Sequence, residues 1–337
     1  MSKLIYDRLC RLIALALLFP TTAAAATIDI DTVLGPGHLF PGESIVVVDG
    51  ASPPTKLTVL DGAVIGWSPG GGEVETGIDA FGNSVVEVLG GRIGGYRRSA
   101  LLHDQSLFYM TDGVAELIES RDMSRVVVTG GEWGAVHTYG VSRAWIDGGE
   151  SGYSRAFHGS RIVLNGGRAE DIELVDDATF VMHDGILDFG LIINGRGRAL
   201  LNGGYTYIAI AQGQSELTVR GGVLIDTIVA AESGIIRIYG TGLHYAEDDL
   251  NPNVKYIRGT LADGTELEVF YRIRDQGQII FHEVPEPATW ALLAIGVAVL
   301  LLRRRHPTTT TVTYARPSRH RRYGWNSLPS VDARSTA

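Results

Sequence analysis

From Ser84 to Gly242 the chain keeps returning to one pattern: a small residue, a short stretch in which apolar positions alternate, then a glycine pair. It reads Ser84-Val85-Val86-Glu87-Val88-Leu89-Gly90-Gly91, and comes back as Ser124 to Gly131, Ser142 to Gly149 and Ser160 to Gly167. The second glycines stand at 91, 113, 131, 149, 167, 185, 204 and 222, giving spacings of 22, 18, 18, 18, 18, 19 and 18. A period that steady marks a chain that stacks on itself, one coil per repeat.

With the first glycine of each pair as zero, positions minus four and minus two are apolar on every coil: Val126/Val128, Ala144/Ile146, Ile162/Leu164, Phe180/Met182. Period two with both members apolar turns these side chains inward. The glycines permit a bend with positive φ, and the small residue at minus six marks a corner where a larger side chain collides with the next coil. A second apolar run follows each glycine bend, as in Ile172–Val175, Leu191–Ile193 and Ile208–Ala211. The fold class implied is all-β, a parallel β-helix of about nine coils, each strand pairing with its equivalent one coil on. Eighteen residues at ~3.3 Å each give a slim perimeter of roughly 60 Å. The hexapeptide repeat of left-handed β-helices is missing, so the right-handed form is expected.

Residues 27–83 read as an N-terminal cap with degenerate opening rungs, Ser44–Val48 and Leu57–Leu60, and the glycine-rich stretch from Pro69 to Gly82 as a loop leaving the stack. The regular coils fill 84–242. Beyond them, in 243–283, Lys255–Thr260, Glu266–Ile273 and Gln278–His282 read as a small antiparallel β cap over the last open edge.

The ends alter the charge picture. Residues 1–26 combine a basic start (Lys3, Arg8, Arg11), an apolar run from Leu12 and Ala23–Ala26, the plan of a secretory signal peptide. The one cysteine, Cys10, lies inside it, so the exported part has no disulfide, no thiolate ligand and no cysteine nucleophile. The whole chain holds 29 Lys+Arg and 38 Asp+Glu; without the 3 basic and 1 acidic residues of 1–26, and the 8 and 1 of 303–337, 18 remain against 36, a net of −18. So acidic a body is not expected to bind nucleic acid.

Near the other end, Val284-Pro285-Glu286-Pro287 precedes an uncharged run, Ala288–Leu302, that contains Trp290, and then Arg303-Arg304-Arg305. This run is short for a bilayer span of about 20 residues, and the arginines hold its far end on the cytoplasmic side. Residues 284–305 closely resemble the PEP-CTERM sorting signal of exported Gram-negative bacterial proteins, and Gly259–Thr265 is similar to what β-helical members carry before that signal. The resemblance implies an exosortase as partner, inner-membrane anchoring through the apolar helix before processing, and delivery to the cell surface or an extracellular matrix. Members usually stop soon after the arginines, whereas here the chain continues in a basic tail, 306–337, that has no apolar period and is expected to be disordered.

Candidate chemistry is sparse. A β-helical polysaccharide lyase or hydrolase needs clustered carboxylates on one outward strand face. The pairs Asp176-Asp177 and Asp248-Asp249 sit in turns without counterparts on adjacent coils, and His158 with Arg161 lacks the accompanying aspartates of pectin hydrolases. His137, His158 and His183 lack metal-ligand spacing, and neither a G-x-S-x-G elbow nor a phosphate cradle is present. No cofactor and no catalytic residue are therefore assigned, and a non-enzymatic protein is expected, with the carbohydrate-active enzyme as the alternative. One constellation remains. Arg125, Arg143 and Arg161 occupy minus five on three consecutive coils, facing outward, with Trp145 on the same face. Either Glu132 and Glu150, two places beyond the zero positions, neutralise them in a salt-bridge ladder, or the strip binds an acidic exopolysaccharide with Trp145 stacking on a sugar ring.

Overall fold

The computed structural model describes residues 26–284, apart from 36–38, 41–44, 49–54, 61–62, 66–75, 95–97 and 248–254. The signal-peptide segment 1–25, the sorting signal from Pro285 onward and the basic tail lie outside the described residues. So does the whole of the chain's second compact unit, Pro287–Ala337; every described residue belongs to the first unit, Met1–Glu286.

That unit is a parallel β-solenoid of about ten turns whose strands form three faces. The first face stacks the predicted inward-alternating strands: 107–110, Arg125–Val128, Arg143–Ile146, Arg161–Leu164, Thr179–Met182, 198–201, 216–219 and 235–238 pair in parallel, in register, at steps of 18 or 19 residues. The second face is the two-residue stretch after each glycine corner, from 92–93 through 132–133 and 168–169 to 223–224. The third is the weaker apolar run, from Arg98–Leu102 through 136–138 and 172–175 to 227–230. Inward side chains of all three faces are buried, Val126, Val128, Ile146, Ile162, Leu174 and Ile193 among them with no exposed surface.

The two glycines of a pair do different work. Only the second has positive φ: +87° at Gly131, +87° at Gly149, +82° at Gly167 and +91° at Gly222. The first is needed for close approach. A Cβ on Gly148 would come within 2.6 Å of the Thr129 carbonyl oxygen one coil back, and one on Gly166 within 2.6 Å of that of Asp147. Room is therefore what the first glycine supplies, and bend what the second supplies.

The corner before the first face has its own device. The small residues at minus six are buried, and on the central coils their hydroxyls bond the backbone: Ser124 Oγ donates to the Arg121 carbonyl at 2.6 Å, and Ser142 Oγ donates to that of Ser120 at 3.0 Å while accepting the Tyr139 amide. Ser160 does the same with the carbonyl of Thr138 and the amide of Phe157, whereas the hydroxyls of Ser84 and Ser215 have no partner. Serine thus fits for size and, on the central coils, satisfies backbone groups that the corner removes from the strand ladder. Two residues earlier each turn passes through left-handed φ, with Asp104, Asp122, Gly140, His158, Asp176, Gly195 and Gly213 at +55° to +76°.

The flanks differ from the sequence expectation. Within residues 27–83 the two opening rungs read from the sequence are present at Ile45–Val47 and Lys56–Val59, and with Ala26–Ile28, Thr32–Leu34 and Thr76–Ala80 they pair in parallel in the same first and third faces, more regularly than an irregular cap. Thr76–Ala80 lies within the stretch read as a loop, yet it pairs on both edges and buries Ile78 and Ala80 fully. At the far end only Lys255–Leu261 is a true antiparallel cap strand, lying between Ile235–Glu247 and Glu266–Ile273. The chain then rejoins the solenoid: 270–273 pairs in parallel with 227–230, and Gln278–Glu283 with 235–240, because Ile279 resumes the inward position over Ile236.

Candidate functional site

The first face carries the outward constellation. Arg125, Arg143, Arg161, Thr179, Arg198 and Glu216 stand one above the next in strict register, separated by the inter-strand spacing of about 4.8 Å. The arginines are exposed. A second outward row runs beside them: Tyr109, Val127, Trp145, Val163, Val181, Leu200 and Thr218. Trp145 is half-buried in this row, flanked in register by Val127 and Val163, of which Val163 is 7% exposed. A third row is polar, and within it Asn165 donates to the Asp147 carboxylate at 2.6 Å. The face is thus a flat strip with an apolar centre, a cationic margin and an amide-carboxylate margin.

The salt-bridge ladder to Glu132 and Glu150 does not form. Those glutamates stack on each other around the glycine corner, on the second face, where with Glu116 and Glu170 they line a groove of about 350 Å³ floored by Gly134 and Gly152. Among the described residues Arg125, Arg143 and Arg161 enter no ion pair, although Arg168 pairs with Asp188 at 2.5 Å and Arg237 with Glu216 at 2.6 Å. Stacked like charges at this spacing cost energy unless a counter-charge arrives from elsewhere.

Further along the strip, Thr179 interrupts the arginine row and leaves a hollow of about 440 Å³ between Arg161 and Arg198, with Val181 and Leu200 at its base and Arg220 on the opposite margin. Arg220 also lies over the Tyr239 ring, 5.0 Å from its centroid. Arg198 occupies the same minus-five position of the repeat as Arg125, Arg143 and Arg161. The sequence did not single out Arg220, which belongs to the third row.

The other candidates resolve structurally. His158 and Asp176 are both left-handed corner residues on neighbouring coils, paired at 2.9 Å, and Asp177 is an exposed turn residue beside them. His183 is exposed and contacts the Asn202 amide at 3.4 Å. Asp248 and Asp249 lie outside the described residues. Among the described residues no three His, Cys, Asp or Glu side chains could hold a metal ion.

The third face holds a charged row of which the sequence named only His137: Glu119, His137, Arg155 and Glu173 in register on successive coils. Its glutamates and arginine are paired within the protein, whereas the buried His137 Nε2 has no hydrogen-bond partner. Arg121 grips the buried Glu119 at 2.5 and 2.8 Å, and Arg155 pairs with Glu173 at 2.8 Å and also donates to the Tyr153 hydroxyl. Tyr153 in turn donates to Glu173, whose other oxygen accepts from Asn194 at 2.9 Å. Burial first, then the bond to Glu173, pushes the Tyr153 phenol up to about 12. His137, edge-on to Phe157, is held below the ordinary imidazole value, first by burial and then by Arg155, against the opposing pull of Glu119 and Glu173.

A depressed imidazole means that the unfolded chain binds the proton more readily than the folded one. The stability His137 contributes is therefore complete above the unfolded value and is lost as pH falls towards the folded one. Urea midpoints measured between about pH 7.5 and about pH 5.5 are expected to fall, and His137→Asn is expected to flatten that slope.

The solenoid places this chain among rod-like repeat proteins with long regular faces. Its address is given by a separate segment. Residues 283–305 match the family description PEP-CTERM protein-sorting motif. That motif implies an exported, membrane-associated protein of a Gram-negative bacterium that is processed by an exosortase. No curated protein and no solved structure matches the chain.

Proposed function

We propose that the protein is a non-enzymatic surface or extracellular-matrix component whose first face adheres to an acidic exopolysaccharide. The observation that carries this reading is the in-register row Arg125, Arg143, Arg161, exposed and without an ion-pair partner among the described residues, beside the apolar row that holds Trp145. A linear polymer laid along the rod meets one guanidinium per coil, and guanidinium recognises carboxylate in a planar, bidentate fashion. Trp145, Val163, Val181 and Leu200 then supply apolar surface for sugar faces. The hollow bounded by Arg161, Arg198 and Arg220 continues the strip and gives an anionic sugar a deeper seat.

Export by the sorting motif brings the strip to a layer where such polymers are found, and anchoring through the C-terminal segment places the solenoid at the envelope before processing. On the third face the carboxylates of Glu119 and Glu173 are held by Arg121, Arg155, Tyr153 and Asn194, which supports a structural role for them rather than turnover. The full-length chain is expected to be retained on an immobilised polyuronate at low salt and to be released as salt screens the contact. It should pass through a neutral glucan of the same linkage and release no unsaturated or reducing-end product from the polyuronate. Retention on the neutral glucan alone, or product formation, would contradict the reading.

A further inference from the structure

The second face changes character along the rod. Its earlier coils carry the glutamates of the groove; the next three carry Ile186 and Phe189, then Tyr205 and Tyr207, then Val223 and Ile225, with exposures of 39, 60, 39, 41, 42 and 37%. Ile186, Tyr205 and Val223 are stacked in register. Phe189 projects because its coil holds one extra residue between Leu187 and Gly190, a bulge that re-aims the side chain outward. Together the six expose roughly 500 Å² of apolar surface, the scale at which a patch on a monomer marks an interaction site.

We propose that this patch is the contact of a homodimer in which two rods pack second face to second face and run antiparallel. A two-fold axis across the rods at the level of Tyr205 makes the patch self-complementary, as an isologous interface requires. Ile186 then meets Val223 of the second copy, Tyr205 and Tyr207 meet their own equivalents, and Phe189 meets Ile225. The patch supplies roughly 500 Å² of the roughly 800 Å² per partner of a standard interface, and the polar rim beside it, including the Arg168–Asp188 pair, is proposed to supply the rest. The parallel alternative, with the axis along the rods, sets Glu132, Glu150 and Glu170 directly against their own copies, a like-charge row that the antiparallel arrangement slides past the partner's coils. The same glutamates disfavour an anionic lipid surface as the occupant. This contact leaves the arginine strip free.

The orientation is read by cross-linking the full-length chain carrying Cys10→Ser, which removes its only native cysteine. Under mild oxidation Tyr205→Cys is expected to give a covalent dimer, as is the double variant Ile186→Cys/Val223→Cys, while Ile186→Cys alone forms no covalent dimer. The two positions of the double variant are two coils apart within one chain, about 10 Å, too far to bridge internally. In sedimentation the wild-type chain should dimerise at micromolar concentrations, and Tyr205→Asp/Tyr207→Asp should weaken this by about a hundredfold with an unchanged β-sheet circular dichroism spectrum. A covalent dimer from Ile186→Cys alone overturns the antiparallel arrangement. A wild-type monomer, or a patch that instead captures neutral glucan or lipid vesicles in a Tyr205-dependent way, overturns the proposal.

Discussion

Replacing Arg125, Arg143 and Arg161 together with alanine is expected to abolish retention on an acidic polysaccharide while leaving the thermal midpoint within a few degrees of wild type. The three side chains face outward and enter no ion pair among the described residues, so their removal breaks no salt bridge there and relieves stacked positive charge. Each partly exposed guanidinium–carboxylate contact contributes a factor of about five, so the three together lower affinity by about a hundredfold. Trp145→Ala should cost less, and equally at low and high salt, because its contact is apolar and unscreened. Equal loss from Glu132→Gln/Glu150→Gln would show that the other groove, not the arginine strip, holds the polymer.

The largest effect on stability is expected at Gly149. Its φ of +87° is one a side chain resists, at a cost of ~1–3 kcal/mol. In addition, an added Cβ would meet the buried Trp133 ring and would lie 2.6 Å from the Gly131 carbonyl oxygen. Backbone on one side and a packed indole on the other leave little room for relaxation, so Gly149→Ala should destabilise by about 3 kcal/mol or more. Because each coil of a solenoid contacts only its neighbours, the damage should spread from that coil and lower cooperativity as well as the midpoint. Glu150→Ala, the exposed next residue, serves as the control and should change the urea midpoint little.

The regular coils could be read from the sequence because three local demands recur at one spacing: a small corner, two inward apolar residues and a glycine bend. Where the spacing breaks down, some strands were legible one by one but not as a regular stack. The rung at Leu57, which lies under Val86, 29 residues on, was still legible as a strand, whereas Thr32, under Leu57 and 25 residues before it, was not, because insertions remove the constant spacing. Thr76–Ala80 was obscured by the glycines before it, although Ile78 and Ala80 keep the inward alternation. The final strands were legible as strands but not in their partners, since antiparallel and parallel pairing of the same alternating segment bury the same side chains.

The same limit applies to the sites. Strict alternation within one strand fixed which way Arg125, Arg143 and Arg161 face. Placing Glu132 and Glu150 required knowing the direction taken after a glycine with positive φ, and that corner carries them to another face. The third-face row of Glu119, His137, Arg155 and Glu173 comes after the corner too: its offset from the glycines is constant over these four coils, but the direction its side chains face is set by the corner, and on the next coil the bulge at Phe189 shifts the register.

A crystal structure of the full-length chain with a hexameric oligouronate tests the central claim most directly. The account predicts an intact oligomer along the first face, its carboxylates on Arg125, Arg143 and Arg161 and a sugar ring over Trp145. An oligomer lying in the glutamate groove, or one cleaved against the third-face row, would contradict it.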